Sequence, residues 1–117
     1  MSALEAKVLR RTAEIVEQGW CQHALAKRTD GSGLYLSGSP GSTLDDYAER
    51  LVRHPEAGQW CAVGARRLAC IELDAPRYTG AIAVGSIVAF NNALGRTAEE
   101  VAAVLREAAA RGEEAVG

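Results

Sequence analysis

Two short repeats carry the residue types that could do chemistry in this chain. Trp20-Cys21 and Trp60-Cys61 each follow a glycine closely, and the chain holds no other tryptophan. If each pair opens a helix, the thiol lies where a helix N-terminus favours negative charge, which makes a cysteine more nucleophilic. The same arrangement also suits a large apolar anchor that packs where two helices meet. The repeats are therefore either two candidate nucleophiles or two structural wedges.

A thiol hydrolase combines a cysteine with a histidine and an orienting asparagine. Cys21, His23 and Asn91 could supply that set, with Cys61 as a second nucleophile. Cys21 and His23 are too close in sequence to face each other on one helix. A reactive pair would need His54 beside Cys21, or else His23 beside Cys61. Because cysteine is among the most buried residue types, we favour structural cysteines and assign no catalytic residue.

No metal site or cofactor is expected. The three cysteines and two histidines lack the paired spacings of zinc ligands. The Gly/Ser-rich stretch 29–43 lacks the lysine of a phosphate-binding loop. The first residues show neither the basic region nor the apolar run of an export signal, so we expect reduced thiols and a cytoplasmic protein.

Four further side chains are candidates for contact with a ligand or partner. Tyr35 lies in the loop 29–43, and loops often carry binding residues. Asn91 and Asn92 could bind an amide or a base, although asparagine also ends helices in the left-handed conformation. Arg96 precedes the last predicted helix and could hold a phosphate with that helix N-terminus, or else be a solvated surface residue.

Helical periodicity of apolar residues predicts the elements that must position these side chains. The first helix should end at Gly19 as a left-handed C′ residue. Gly64 indicates a close crossing of two helices, and Arg66 and Arg67 should face water. Helices are predicted at 3–18, about 20–28, 43–54, about 59–73, 80–90 and 97–112.

The uncharged segment 80–90 is predicted to be a buried central helix, because a stretch without charges must be covered on most sides. Thr43 and Thr97 begin helices with capping-box spacing. Within the loop 29–43, the apolar residues 34–36 should dock onto the body as a short extended stretch. The tail 113–117 should fray.

Composition restricts the class of protein. The chain has 117 residues, 48% of them hydrophobic and 24% charged, which suits one globular domain over 1–117. A formal net charge of -2 does not favour nucleic-acid binding. No stretch reaches the roughly 18 apolar residues of a membrane span, so no membrane association is expected.

Three motifs resemble those of a family of uncharacterised domains associated with actinobacteria and their phages. They are Gly-Trp-Cys-Gln at 19–22, Trp-Cys-Ala at 60–62, and Phe-Asn-Asn followed by Gly-Arg-Thr within 90–97. The resemblance covers residues 4–28, 59–69 and 87–110. It implies a helical fold and a phage or actinobacterial setting, and it supplies no activity. That family usually has Trp-Asn-Asp where this chain has an Asn pair, so chemistry by a carboxylate there is not expected.

The sequence thus predicts an all-α, single-domain bundle of five or six helices around a buried helix. The favoured function is non-enzymatic binding of a protein partner, in an accessory or host-modulating role, through the loop 31–42 or through pairing of the last helix in a homodimer. The alternative is a small-ligand binder or thiol hydrolase. Its pocket would lie around Cys21, Cys61, Asn91 and Asn92.

Overall fold

A computed structural model describes residues 2–36, 43–80 and 87–116, with side chains as far as residue 112. Within these ranges the chain forms five helices and one two-stranded antiparallel sheet. The expected all-α class is therefore correct only in its coarse form, since the protein is mostly helical but not purely so. The elements are α1 (Ala3–Gln18), β1 (Ala26–Arg28), α2 (Leu44–Val52), β2 (Ala57–Trp60), α3 (Ala62–Glu72), α4 (Ile87–Asn92) and α5 (Ala98–Val116).

Helix α1 is the centre of the main core, with α5 and α3 packed against it. Ser2 caps its N-terminus, because the hydroxyl accepts a 3.1 Å hydrogen bond from the Glu5 amide. Burying a side chain such as Leu9 or Ile15 contributes about 1.5–3 kcal/mol. The helices approach closely because much of the core is alanine. The fully or almost fully buried alanines of this main core are Ala6, Ala13, Ala62, Ala65, Ala69, Ala102 and Ala109.

The described residues of the segment 80–90 do not form the buried central helix that its lack of charge predicted. Residues 81–86 lie outside the described residues. Of the described part, Gly80 lies in a turn, and residues 87–90 belong to α4, a helix of six residues in which Val88 is 51% exposed. The prediction was wrong for residues 87–90, because a stretch without charges can form a short helix at the surface of the domain with one side exposed.

The predicted helix at 20–28 is replaced by an irregular segment and strand β1. Residue Ala26 pairs with Trp60, and Lys27 pairs with Gln59, so the backbone polar groups are satisfied across the sheet. A short segment has little helical stability of its own, and pairing with β2 prevails. Because residues as far as Trp60 pair in the sheet, α3 begins at Ala62 and not near Gln59 as predicted.

Of the residues 34–36 that were predicted to dock, Leu34 and Leu36 pack against the body of the protein and Tyr35 does not. Gly33 forms an isolated bridge with Lys27, and Leu34 is buried in a second core cluster with Leu51 and Val52. Tyr35 is 84% exposed. The remainder of the Gly/Ser-rich loop, 37–42, lies outside the described residues.

The helix starts predicted from capping residues are confirmed. The Thr43 hydroxyl accepts from the Asp46 amide at 3.0 Å. Thr97 and Glu100 form the reciprocal bonds of a capping box, at 3.2 Å and 3.1 Å. Helix α5 continues through Gly112 to Val116, so the predicted end at Gly112 was wrong. Fraying of 113–117 stays a prediction.

Candidate functional site

The two Trp-Cys repeats lie side by side in the folded chain. Trp20 and Trp60 form a parallel bridge. The Trp60 amide donates to the Gly19 carbonyl at 2.9 Å, and the Cys21 amide donates to the Trp60 carbonyl at 3.3 Å. The repetition in the sequence thus becomes a direct backbone pairing of its two copies.

Three glycines are required where backbones approach each other closely. A Cβ at Gly19 would overlap the Gly58 carbonyl, and one at Gly58 would overlap the Thr29 hydroxyl. Gly19 is extended, with φ -174°, so it is not the predicted left-handed C′ residue. A Cβ at Gly64 would overlap the Leu25 carbonyl. The crossing predicted at Gly64 is therefore one of helix α3 with an irregular segment and not with another helix.

The Asn91 side chain joins the first repeat and the first residue of α3 to α4. Its oxygen accepts from the Trp20 indole nitrogen at 2.8 Å and from the Ala62 amide at 3.0 Å. Its nitrogen donates to the Cys21 carbonyl at 3.1 Å and to the Asn92 side-chain oxygen at 3.0 Å. The side chain is 1% exposed, and these four bonds use its full hydrogen-bonding capacity. Asn91 therefore holds elements together and has no group left for a ligand.

Neighbouring residues strengthen this attachment of α4. The Gln22 side chain donates to the carbonyls of Asn91 and Ala93, both at 3.0 Å. The His23 amide donates to the Asn92 side-chain oxygen at 2.9 Å. His23 has φ 65°, a left-handed conformation that is uncommon outside glycine and is retained where the surroundings enforce it.

Both thiols of the repeats are buried and disfavoured as thiolates. Burial raises the pKa of Cys21 to about 12. Cys61 is the N-cap of α3, as the sequence suggested, and its sulfur accepts from the Gly64 amide at 3.3 Å. Burial still raises the Cys61 pKa, because desolvation outweighs the backbone N–H groups that lower it. Cys21 does not begin a helix, so of the two alternatives for the repeats a helix-terminal thiol applies to Cys61 and not to Cys21.

The two histidines considered as general bases for a reactive cysteine lie in different surroundings. His23 and Cys61 line one cleft. His54 follows α2, and its Nδ1 accepts from the Glu56 amide at 3.0 Å. Across 2–36, 43–80 and 87–116, no group of three His, Cys, Asp or Glu residues is placed to hold a metal ion.

A cleft of about 390 Å³ lies beside the Asn91 attachment. Its lining is mainly apolar, and Asn92 and His23 add polar groups. The Asn92 side-chain oxygen already accepts from the His23 amide and the Asn91 side chain, so the amide nitrogen is the polar group that Asn92 can offer to a ligand. The lining comprises His23, Ala24, Leu25, Cys61, Val63, Val88, Asn91 and Asn92.

A second cleft, of about 340 Å³, shares the segment 23–25 with the first. Tyr35 contributes to it, and Lys27 adds a positive charge. We call the pair the double cleft. The other residues of the second cleft are Ala26, Gly33, Leu34, Tyr47 and Leu51.

Arg96 packs on α4 and the start of α5. Its guanidinium lies 3.8 Å from the centroid of the Phe90 ring, a cation–π geometry. Its Nε donates to the Phe90 carbonyl at 2.9 Å, and its Nη1 lies 2.9 Å from Glu100. Arg96 thus lies outside the double cleft, and binding of a phosphate by it stays a prediction.

Sequence reasoning missed a second cluster of polar residues. Arg66 and Arg67 were expected to face water, yet both are half-buried and line a small cavity with Arg77 and Tyr78. The available signal was their position on α3, three and four residues before the buried Cys70, which places them beside the buried stripe.

The fold and these contacts define a small, mostly helical domain in which two Trp-Cys repeats pair through their backbones and an asparagine joins the first of them to α3 and α4. The chain belongs to a family of unknown function, DUF6197, whose model matches residues 1–111. The resemblance to an uncharacterised family is confirmed at that level, while the actinobacterial and phage setting stays a prediction. No curated protein and no solved structure matches the chain significantly. None of the described helices has the length and apolar character to cross a membrane.

Proposed function

We propose that this protein is a non-enzymatic binding module that holds a short extended segment of a partner protein in the double cleft. The observation that carries this proposal is the pair of adjoining clefts on the segment 23–25, each of a size that accepts side chains of a ligand. A partner with two apolar side chains fits this arrangement better than one compact molecule does.

Exposed apolar side chains in both clefts support the proposal. Val88 is 51% exposed in the first cleft, and Tyr35 is 84% exposed in the second. Large exposed apolar groups at a concave surface are typical of binding sites. Lys27 favours an acidic residue in the partner segment, and the Asn92 amide favours a carbonyl oxygen.

The conformation of His23 also supports binding at this place. Its φ of 65° costs free energy, and backbone strain of this kind is concentrated at functional sites. The strained residue lies at the boundary that the two clefts share. The buried thiols argue against the alternative of a thiol hydrolase, because neutral Cys21 and Cys61 are poor nucleophiles.

The test is selection of peptides from a random displayed library against the folded, immobilised protein, followed by affinity measurement with Val88→Glu and Tyr35→Ser. We expect selected peptides to carry two apolar residues, and each substitution to weaken binding by about tenfold or more. Leu94→Ser is the matched control, because Leu94 is fully exposed and lines neither cleft.

Equal binding by all three variants would reject the double cleft as the site. Small-molecule binding is the second candidate, supported by the size of the first cleft alone. Fragments that shift amide resonances of 61–63 and 88–92 while no peptide is selected would favour it.

A further inference from the structure

A cluster of arginines on α3 and in the segment after it is distinct from the double cleft. Arg66 and Arg67 lie on α3, and Arg77 and Tyr78 follow that helix. With Glu49 of α2, they line a cavity of about 50 Å³. None of these residues lines either cleft described above.

The carboxylates of the cluster are already bound. Asp45 accepts from Arg67 Nη2 at 2.9 Å, from Arg77 Nη1 at 3.3 Å and from the Tyr78 hydroxyl at 2.7 Å. Glu49 accepts from Arg77 Nε at 2.7 Å. Asp46 lies farther away, 4.0 Å from Arg77. The acidic residues therefore accept hydrogen bonds from Arg77, from Tyr78 and from one nitrogen of Arg67.

Within the described ranges 2–36, 43–80 and 87–116, other guanidinium nitrogens of the cluster are buried and have no acceptor. They are Nη1 of Arg66 and both Nε and Nη1 of Arg67. Buried donors on a charged group are costly when unpaired, so native structures rarely leave them so. Burial also lowers the pKa of Arg66, the direction expected when a guanidinium leaves water without a carboxylate beside it.

The Tyr78 ring orients these donors. Its centroid lies 5.9 Å from the Arg66 guanidinium carbon and 5.5 Å from that of Arg67, within the range of cation–π attraction. Tyr78 has φ 72°, an uncommon conformation for a bulky residue. The ring and the Asp45 bond thus hold two guanidinium groups at one cavity.

We propose that Arg66 and Arg67 bind a phosphate group in this cavity. Arginine is suited to phosphate because its planar donors match the oxygens and the bonds are charge-assisted. A cavity of about 50 Å³ holds roughly four water-sized groups, which is the size of one tetrahedral oxyanion. The cavity admits the phosphate group and not a whole nucleotide.

The test is calorimetric titration of the full chain with sodium phosphate, against sodium chloride at equal ionic strength. We expect saturable phosphate binding and a higher Tm in phosphate. Arg66→Gln should weaken binding by about tenfold or more, because a charge-assisted contact is lost. Arg50→Gln is the matched control: it makes the same charge change at an exposed position of α2 outside the cavity.

Arg66→Lys keeps the charge and should retain part of the affinity, so it tests the proposal even if Arg66→Gln does not fold. Phenyl phosphate distinguishes the two sources of the group: tighter binding than inorganic phosphate indicates a phosphate carried on a larger ligand, and equal binding indicates the free ion. The proposal is overturned if phosphate stabilises no more than chloride does, or if the Arg66 and Arg50 variants bind it equally.

Discussion

The indole nitrogen of Trp20 donates a 2.8 Å hydrogen bond to the side-chain oxygen of Asn91, which lies 71 residues further along the chain. The same oxygen accepts from the Ala62 amide, at the first residue of α3. One buried amide therefore connects the first repeat, the helix after the second repeat, and α4. This connection explains how a short helix such as α4 is held on the body of the protein.

Replacing Asn91 should be among the more damaging single changes. Asn91→Ala leaves the Trp20 indole, the Ala62 amide and the Cys21 carbonyl without their partner, and each unpaired buried group costs about 1–3 kcal/mol. We expect a loss of about 3 kcal/mol or more in the free energy of unfolding, measured by urea denaturation. Asn92→Ala is the matched comparison and should cost less. A loss for Asn91→Ala no larger than for Asn92→Ala would contradict this role.

Asn92→Asp should be tolerated. The Asn92 side-chain oxygen accepts from the His23 amide and from the Asn91 side chain. A carboxylate accepts both bonds as well and strengthens them. We expect a stability within about 0.5 kcal/mol of the parent or above it, and an unchanged circular dichroism spectrum. Asn92→Leu, which can accept neither bond, is the control, and destabilisation by both variants alike would reject this explanation.

Gly64→Ala separates helix propensity from tertiary packing. Propensity alone predicts a gain of about 1 kcal/mol for alanine inside a helix. The added Cβ would overlap the backbone carbonyl of Leu25, which is not a flexible group, so we expect a loss of about 2 kcal/mol or more. Thermal unfolding decides the sign. A higher Tm for the variant would show that Leu25 can move aside at little cost.

All thiols should resist alkylation in the native state. Cys21, Cys61 and Cys70 are buried, and burial raises the pKa of each, so access and thiolate content are both low. A brief pulse of iodoacetamide at neutral pH, read by mass spectrometry, should modify them only after denaturant is added. Rapid native labelling of Cys61 alone would revive the thiol hydrolase, since Cys61 lines the first cleft with His23.

Stability should fall as the pH rises above about 9. The ordinary thiol pKa is 9.0, and in the folded protein that of Cys21 is raised to about 12. Between these values the unfolded chain has lost a proton that the folded chain keeps, so the free energy of unfolding decreases with pH, by up to about 1.4 kcal/mol per pH unit. Urea unfolding at several alkaline pH values, with reductant present, measures the slope. Cys21→Ala should flatten it, and an unaltered slope would assign the effect to other groups.

Local signals in the sequence were sufficient for the helices that begin with their own caps. Ser2, Thr43 and Thr97 lie directly before α1, α2 and α5, and the last two were predicted as helix starts. Capping bonds and apolar periodicity join residues within one or two turns, so their outcome depends little on the rest of the chain. The repeated Trp-Cys pairs were also visible, although their pairing with each other was not.

The tertiary structure alone decided what lies between these helices. Pairing of β1 with β2 replaced a predicted helix, because backbone bonds to a distant segment outweighed a weak local preference. The burial of Arg66 beside Tyr78 depends on residues far apart in sequence, and so do the bonds of Asn91 to the first repeat and to the start of α3. The local sequence was therefore sufficient to predict the helices that begin with a capping residue. The double cleft, the arginine cluster and the attachment of α4 form only when folding brings residues that are distant in sequence into contact.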